Sequence, residues 1–215
     1  MNSNIGNIIL TDCDGVLLNW EHSFAQFMKT YSDLKRLPDA DKHYNIATQY
    51  GISKTEGKYW AERFNTSAAI GSLPPLRDAV KYVRKLHEEH GYVFHCITSM
   101  TDDKYAVKLR VENLERVFGK GIFERIVCLP LGADKTDTLF EYKDSDYYWI
   151  EDKVANAMVG LNLGLDPIIV EHLNSDNQHA THFGYWLNGS FHTSDNIPTA
   201  VKWKDIYNLI TGEDL

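Results

Sequence analysis

Two aspartates, Asp12 and Asp14, follow a short apolar run near the start of the chain and precede Gly15. Carboxylates this close together at the end of a buried strand raise each other's pKa unless a cation holds them. Mg²⁺ suits this position, because it binds a few carboxylates together with water and a substrate phosphate. Gly15 would permit the tight bend that takes the backbone away from the strand. The pattern predicts carboxylate chemistry at a metal site; taken alone, it also fits a strand that ends in an Asx-turn.

Polar side chains also stand at or just after the ends of the next three apolar runs. In chain order they are two hydroxyl residues, a lysine and a second acidic pair: Thr98, Ser99, Lys135, Glu151 and Asp152. In a parallel sheet the carboxyl ends of the strands meet at one edge, where ligands bind. The group would then combine a nucleophile, phosphate-binding hydroxyls, a cation and metal-binding carboxylates. Taken singly, these residues also fit a helix cap, a solvated lysine and a turn.

Five apolar, β-rich segments are predicted to be strands. They are residues 5–11, 92–98, 125–129, 147–150 and 167–170. Helical periodicity is clear over residues 76–90 and 103–118. In the second of these helices the spaced apolar residues are Val107, Val111, Leu114 and Val117. Strands that alternate with helices indicate an α/β fold with a Rossmann-like, largely parallel sheet and right-handed crossovers.

The interval between the first two predicted strands is too long for one crossover, since roughly 80 residues separate Thr11 from Tyr92 and about 30 would suffice. Residues 18–74 are rich in aromatic side chains and end at Pro74-Pro75, which cannot continue a helix. We therefore predict a small helical cap at 18–74, inserted after the first strand into an α/β core formed by 1–17 and 75–215. The alternative is a set of extra helices packed on the sheet edge.

The size and charge of the chain restrict the classes of protein to which it could belong. The 215 residues suffice for one sizeable domain with or without an insert, and the formal charge of -8 argues against a broad basic face for nucleic acid. No apolar run approaches the roughly 20 residues of a membrane span, and no signal-peptide pattern is visible. The cysteines lack metal-type spacing. We expect a cytoplasmic protein without nucleic-acid or membrane partners; its oligomeric state is open and includes a homodimer.

The C-terminal part of the chain divides into a polar stretch and a helical pattern. The polar stretch, 172–199, contains four histidines: His172, His179, His182 and His192. Their spacing matches no compact metal site, so solvated or locally bonded side chains are expected. The helical pattern places four apolar residues on one face: Trp203, Ile206, Tyr207 and Ile210. This face predicts a terminal helix that docks on the core.

The order of the motifs resembles the haloacid dehalogenase superfamily of phosphotransferases, in which Asp-x-Asp-Gly is followed by a strand-end Thr, a Lys and an acidic pair. The resemblance covers nearly the whole chain, and within that superfamily the chain looks most like the 5'(3')-deoxyribonucleotidases. The similar stretches are DCDGVL at 12–17, HCITS at 95–99, ERIV at 124–127, DKT at 134–136 and WKD at 203–205. The predicted cap also matches that family in size and helical character.

The resemblance implies a role for each strand-end residue. Asp12 would attack phosphorus to give an aspartyl-phosphate, and Asp14 would protonate the leaving oxygen and then activate water. Mg²⁺ would be held by Asp12, the main-chain carbonyl of Asp14 and Asp152, with Glu151 acting through a metal-bound water. The phosphoryl oxygens would be bound by the three remaining groups, Thr98, Ser99 and Lys135.

Asp14 also separates reaction classes, since the dehalogenases of the resembled superfamily lack a carboxylate there and the transport ATPases carry Thr. The motif therefore favours a phosphatase or phosphomutase. Trp20 and Tyr44 match aromatic residues that contact the base in the deoxyribonucleotidases, although that family has Trp where this chain has Asn45. The alternative is that the aromatic residues form the hydrophobic core of the cap, which we favour for Trp60 and Phe64.

These patterns lead to one main hypothesis and two others. We expect a Mg²⁺-dependent phosphoric monoester hydrolase acting on a nucleoside monophosphate, a 5'- or 3'-deoxyribonucleotide. The second hypothesis is a phosphatase for a sugar phosphate or another small metabolite. The third is a non-catalytic binding module on the same fold, against which the joint presence of all the motif residues argues.

Overall fold

The computed structural model describes residues 7–172, 185–187, 190–192 and 197–213. Its centre is a six-stranded sheet in the order β3-β2-β1-β4-β5-β8, and every neighbouring pair of strands is parallel. The strands are β1 (Ile8–Thr11), β2 (Val93–Ser99), β3 (Phe123–Leu129), β4 (Tyr148–Glu151), β5 (Asp166–Val170) and β8 (Thr199–Ala200). A separate antiparallel pair consists of β6 (Tyr185–Leu187) and β7 (Ser190–His192). The predicted α/β fold and its five strands are confirmed; β6, β7 and β8 were not predicted.

Eight α-helices lie in the described part of the chain. They are α1 (Trp20–Tyr31), α2 (Ile46–Tyr50), α3 (Lys54–Asn65), α4 (Ala79–His90), α5 (Lys104–Phe118), α6 (Thr136–Phe140), α7 (Val154–Asn162) and α8 (Trp203–Thr211). Local signals in the sequence account for several of their starts. Asp103 accepts a hydrogen bond from the backbone of Ala106 at the start of α5, and Ser53 and Glu56 form a capping box on α3. None of the helices described is long and apolar enough to cross a bilayer.

Both faces of the sheet are covered, which explains the continuous apolar runs of its central strands. Along β1, the fully buried side chains of Ile9 and Leu10 belong to two different hydrophobic clusters. The cluster around Ile9 includes the buried apolar residues of α4, α5 and α8. Leu10 packs instead with Leu139 and Trp149. The sheet is thus enclosed on its faces and open for ligands at its carboxyl edge.

The segment between β1 and α4 contains α1, α2, α3 and two short 3₁₀ turns at 40–42 and 68–72. Its two ends run side by side, because the Asn19 amide donates to the Pro74 carbonyl at 2.9 Å and the Leu76 amide donates to Leu17 at 2.8 Å. Phe64 is fully buried within it and Trp60 packs against the same core, as we expected of both. The division into cap and core remains a prediction.

The terminal helix α8 docks on the core as predicted, with Trp203, Ile206 and Tyr207 buried. The buried face of α5 differs from the expected one. Its buried residues are Ala106, Arg110, Asn113, Leu114 and Phe118, while Val107, Val111 and Val117 are only partly buried. The reason is that one side of α5 packs closely against residues 18–74, which we call the cap segment. A Cβ at Gly71 of this segment would lie 3.2 Å from Leu109 of the helix. Two polar residues are therefore buried where only apolar ones were expected.

Candidate active site

A cavity of about 1080 Å³ lies at the carboxyl ends of β1, β2 and β4, and residues of the cap segment form its other wall. The predicted site residues that line it are Asp12, Asp14, Trp20, Tyr44, Thr98, Ser99, Lys135 and Asp152. Glu151 lies beneath the cavity wall and is fully buried. The structure thus gathers side chains that are far apart in the sequence around one cavity.

The loop after β1 is shaped by Asp12 and Gly15. The Asp12 amide donates to the Ile150 carbonyl at 2.9 Å, which extends the β1–β4 pairing by one residue. Gly15 then adopts a φ of +78°, and a Cβ at this position would lie 2.3 Å from Oδ2 of Asp152. Glycine is therefore needed twice over, for the left-handed backbone and for the close approach of the Asp152 carboxylate.

Lys135 lies between two carboxylates at the base of the cavity. Its Nζ is 3.0 Å from Oδ2 of Asp12 and 2.8 Å from Oε2 of Glu151, and the residue is only 3% exposed. Burial lowers the pKa of the lysine, but the adjacent Asp12 and Glu151 carboxylates outweigh burial and raise it. Lys135 is consequently a fixed positive charge beside Asp12.

Glu151 organises the turn that follows β4. Its Oε1 accepts hydrogen bonds from the amides of Asp152 and Lys153, each at 2.9 Å, and its Oε2 accepts one from Asn156 at 3.0 Å. Burial raises the pKa of Glu151, and Lys135 opposes that rise. Glu151 therefore holds both the turn that carries Asp152 and the ammonium group of Lys135.

Three buried carboxylates form a group that could hold a cation. Ligand oxygens of Asp12, Glu151 and Asp152 all lie within 4.8 Å of one another. An all-oxygen donor set of this kind fits Mg²⁺. The site that the sequence predicts from Asp12 and Asp152 is therefore compatible with the geometry, and Gly15 leaves the room that the Asp152 carboxylate occupies.

Asp14 points its carboxylate at Arg110 of α5 and does not belong to that carboxylate group. Nη1 of the arginine pairs with Oδ1, and Nη2 lies 3.2 Å from Oδ2. Burial raises the pKa of Asp14, and the positive charge of Arg110 opposes the rise. Arg110 was not predicted as a site residue, although an arginine on the apolar side of a helix was a signal that could have pointed to it.

The two hydroxyl residues at the end of β2 differ in their surroundings. Thr98 is 1% exposed, lines the cavity, and its buried Oγ1 has no hydrogen-bond partner among the residues described. A buried hydroxyl of this kind calls for a ligand or water. Ser99 instead donates its hydroxyl to the carbonyl of Ala133 at 3.0 Å, which fixes the loop that leads into Lys135.

Trp20 is both a wall of the cavity and a part of the cap's aromatic cluster. One face stacks on Phe24, with ring centroids 4.7 Å apart and planes 10° apart, and Phe64 meets it edge-on at 5.3 Å. Its indole Nε1 donates to Oδ1 of Asn65 at 2.8 Å, and Asn65 in turn donates to the carbonyl of Met100 at 3.0 Å. One face of Trp20 is therefore occupied by packing on Phe24, and its indole nitrogen is held by Asn65, which is itself bonded to Met100.

Tyr44 connects the cap segment to the turn after β4. The Nζ of Lys153 lies 5.2 Å from the centre of the Tyr44 ring. Burial raises the pKa of the Tyr44 phenol, and the positive charge of Lys153 opposes that rise. Lys153 was not predicted as a site residue, yet it lines the cavity directly after Asp152.

His172 follows β5 and reaches the same loop. Its Nε2 lies 2.9 Å from the carbonyl oxygen of Gly15 and 3.6 Å from Oδ2 of Asp152. We expected this histidine to be solvated or locally bonded, and that expectation is wrong, because its contact joins residues far apart in the chain, which no local pattern records. His179 and His182 lie outside the described residues, as does the side chain of His192.

Comparison with known protein families finds no family model that matches the chain. One curated protein, an uncharacterized 32.4 kDa protein from the Gp30–rIII intergenic region of Enterobacteria phage T4, is 30% identical over 125 residues. The match covers 56% of this chain and 44% of the phage protein, so the chain spans less than half the length of that relative.

Solved structures resemble the chain over almost its full length. A predicted phosphatase from Clostridium acetobutylicum matches with a TM-score of 0.61 at 15% identity, covering 97% of this chain and 99% of its own. A haloacid dehalogenase-like hydrolase from Streptococcus pneumoniae matches with a TM-score of 0.59 at 13% identity, covering 96% of this chain and 99% of its own. An L-2-haloacid dehalogenase from Xanthobacter autotrophicus matches with a TM-score of 0.56 at 10% identity, covering 98% of this chain and 100% of its own.

These likenesses define the architecture as a Rossmann-like α/β fold. More particularly, the chain has the fold of the haloacid dehalogenase-like hydrolases. The similar structures include both a predicted phosphatase and a dehalogenase, so this fold occurs in proteins of more than one activity. The fold alone therefore does not determine the reaction, which depends on the residues of the site.

Proposed function

We propose that this protein is a Mg²⁺-dependent phosphoric monoester hydrolase in which Asp12 is the nucleophile. The observation that carries the proposal is the pairing of Asp12 with the buried ammonium group of Lys135 at 3.0 Å in a cavity that also presents the unpartnered hydroxyl of Thr98. A dianionic phosphate needs a cation and hydrogen-bond donors beside the attacking carboxylate, because the two like charges otherwise repel. Lys135 and Thr98 supply both.

The proposed reaction consists of two displacements. A carboxylate oxygen of Asp12 forms a bond to phosphorus as the ester oxygen leaves, and Asp14 gives that oxygen its proton. Asp14, now a carboxylate, takes a proton from water as the water oxygen attacks phosphorus. The bond between phosphorus and Asp12 then breaks, which returns the electron pair to the aspartate and releases inorganic phosphate.

The cation would be held by Asp12 and Asp152, with Glu151 beneath them and the main-chain carbonyl of Asp14 as a further ligand. When bound, Mg²⁺ would neutralise charge between the carboxylates and the phosphoryl oxygens. The support for this part of the proposal is the clustering of Asp12, Glu151 and Asp152 oxygens within 4.8 Å.

The substrate class that we propose first is a nucleoside monophosphate, in particular a 5'- or 3'-deoxyribonucleotide. Two aromatic side chains of the cap segment, Trp20 and Tyr44, line the cavity that contains the nucleophile. Base–aromatic stacking contributes about 1–3 kcal/mol per base. The face of Trp20 that does not pack on Phe24 is the one that could serve such a base.

A second candidate is the monoester of a sugar or another small polar metabolite. The cap wall of the cavity is rich in polar side chains, namely Asn19, Glu21, Asn45, Gln49, Lys54, Lys58 and Asn65. Such a wall suits a polyhydroxylated substrate, because it offers many hydrogen-bonding partners. The commitment of one face of Trp20 to Phe24 also favours this candidate.

The test is phosphate release from a panel of 5'- and 3'-deoxyribonucleotides, ribonucleotides and sugar phosphates, with Mg²⁺ and after chelation. We expect the wild type and Asp103→Asn, which keeps a good helix cap, to turn over at similar rates. Asp12→Asn should be inactive on every ester. If the wild type releases phosphate from none of the panel, or if Asp12→Asn remains active, the proposed function is wrong.

A further inference from the structure

Arg110 is a fully buried arginine in the middle of α5. Within residues 7–172 and 197–213, its carboxylate partner is Asp14 alone. Nη1 also contacts Sγ of Cys13 at 2.8 Å, so the guanidinium group is held next to the loop that carries the nucleophile. Because a buried charge is strongly unfavourable without its partner, the pairing with Asp14 is the main reason for a charge at this position.

The contact fixes the orientation of the Asp14 carboxylate as well as its place. Two nitrogens of one planar guanidinium group face two oxygens of one carboxylate, with Nη2 and Oδ2 3.2 Å apart. A paired fork of this kind holds the carboxylate plane in a way that a lysine cannot. A carboxylate has about four lone-pair positions, so the fork leaves others available for a proton on the side that lines the cavity.

Anchoring of α5 to the cap segment does not depend on this arginine. Asn113, on the same buried face, donates to the carbonyl of Leu73 at 3.0 Å, and Arg116 donates to the carbonyl of Gly71 at 2.6 Å. These contacts join the helix to the cap segment directly. Arg110 instead contacts the loop after β1, where the proposed chemistry takes place.

We propose that Arg110 is a positioning residue that orients the carboxylate of Asp14 for both of its proton transfers; this rests on the proposed function. In the first displacement the proton passes from Asp14 to the leaving oxygen as its bond to phosphorus breaks. In the second, Asp14 takes a proton from the attacking water. Arg110 gains and loses no proton in either step.

The experiment compares two esters that differ in their need for a proton, phenyl phosphate and 4-nitrophenyl phosphate. Nitrophenolate is a much better leaving group than phenolate, so its release depends less on a general acid. The first-turnover release of each phenol is measured at saturating ester and Mg²⁺ for the wild type, Arg110→Met, Arg110→Lys and the control Asn113→Ala. Asn113→Ala removes a buried hydrogen bond from the same helix face without touching Asp14.

We expect Arg110→Met to slow first-turnover release of phenol from phenyl phosphate about 10²-fold or more, the usual scale of general acid catalysis. The factor by which it slows release from 4-nitrophenyl phosphate should be at least tenfold smaller. This variant should also show a burst of nitrophenolate approaching one equivalent per enzyme, because the water step still needs Asp14. Arg110→Lys, which keeps the charge and is the second variant if Arg110→Met does not fold, should show the same difference between esters. Asn113→Ala should slow both esters equally.

Equal losses on the two esters in a folded Arg110 variant, without a burst, would overturn the proposal and assign Arg110 a purely structural role. If the ratio of the release rates from the two esters in Arg110→Lys equals that of the wild type, the proposal is also overturned, since a positive charge alone would then suffice to orient Asp14. If the wild type itself releases phosphate from neither ester, the proposed function fails and the role of Arg110 with it. The two failures are thus distinguished by the wild-type rate.

Discussion

Lys135 and Asp12 form a buried ion pair in which Nζ and Oδ2 are 3.0 Å apart, and the same ammonium group lies 2.8 Å from Glu151. The lysine thereby joins the loop after β3 to the residues that follow β1 and end β4. Its charge also faces the cavity in which a phosphoryl group would meet Asp12. One side chain thus serves the packing of the strand ends and the proposed binding of the substrate.

Lys135→Met should therefore reduce stability as well as activity. Removal of the ammonium group leaves Asp12 and Glu151 buried without their counter-charge, which typically costs about 3–5 kcal/mol. The free energy of unfolding from urea titration measures this, with the exposed Lys120→Met as the matched control. An unfolding free energy for Lys135→Met equal to that of the control would contradict the importance of the ion pair.

Gly15→Ala separates backbone strain from obstruction of the site. Gly15 and Gly91 have similar left-handed φ values, +78° and +71°, but a Cβ at Gly91 meets nothing within 4 Å. Both substitutions should cost about 1–2 kcal/mol of stability from the backbone. In addition, Gly15→Ala should lose the proposed phosphatase activity, because its Cβ displaces the Asp152 carboxylate. Activity of Gly15→Ala at the level of Gly91→Ala would show that the close approach is unimportant.

The positions of these strand-end residues were predictable because they depend on local signals. Apolar runs followed at once by polar residues marked where β1, β2 and β4 end, and parallel pairing places such ends at one edge. Arg110 and Asp14 are 96 positions apart, and their contact depends on how α5 packs, which no local pattern records. Strand β8 has only two residues, too few to show a period. The stacking of Trp20 on Phe24 likewise required the packed structure, since the sequence was compatible with Trp20 either as a base-contacting side chain or as part of the hydrophobic core of the cap.

Mg²⁺ should stabilise the folded protein if the carboxylate group binds it. At a concentration about 100 times its Kd, a ligand that binds only the folded state adds about 2.7 kcal/mol. Thermal unfolding with and without Mg²⁺ would measure the effect. Asp152→Asn should lose it, and the exposed Asp166→Asn should retain it. An equal rise in Tm for wild type and Asp152→Asn would place the metal elsewhere.

Trp20→Ala tests the nucleotide hypothesis against the sugar phosphate. If its free face stacks on a base, the variant should lose about 1–3 kcal/mol of transition-state stabilisation with a nucleotide. Turnover of 4-nitrophenyl phosphate should change much less. Phe64→Leu, which alters the same aromatic cluster at a buried position away from the cavity wall, controls for loss of packing. Equal losses on both substrates in a folded Trp20→Ala would favour a role in cap packing alone.

In the proposed mechanism Asp12 carries the phosphoryl group during turnover. Asp14→Asn should slow the water step, so the covalent intermediate should accumulate in that variant when it is mixed with 4-nitrophenyl phosphate and Mg²⁺. Acid quenching followed by peptide mass spectrometry locates the phosphoryl group. We expect a phosphorylated peptide with the modification on Asp12, matched in amount by the nitrophenolate released. Nitrophenolate release without any phosphoryl group on Asp12 would contradict the covalent mechanism.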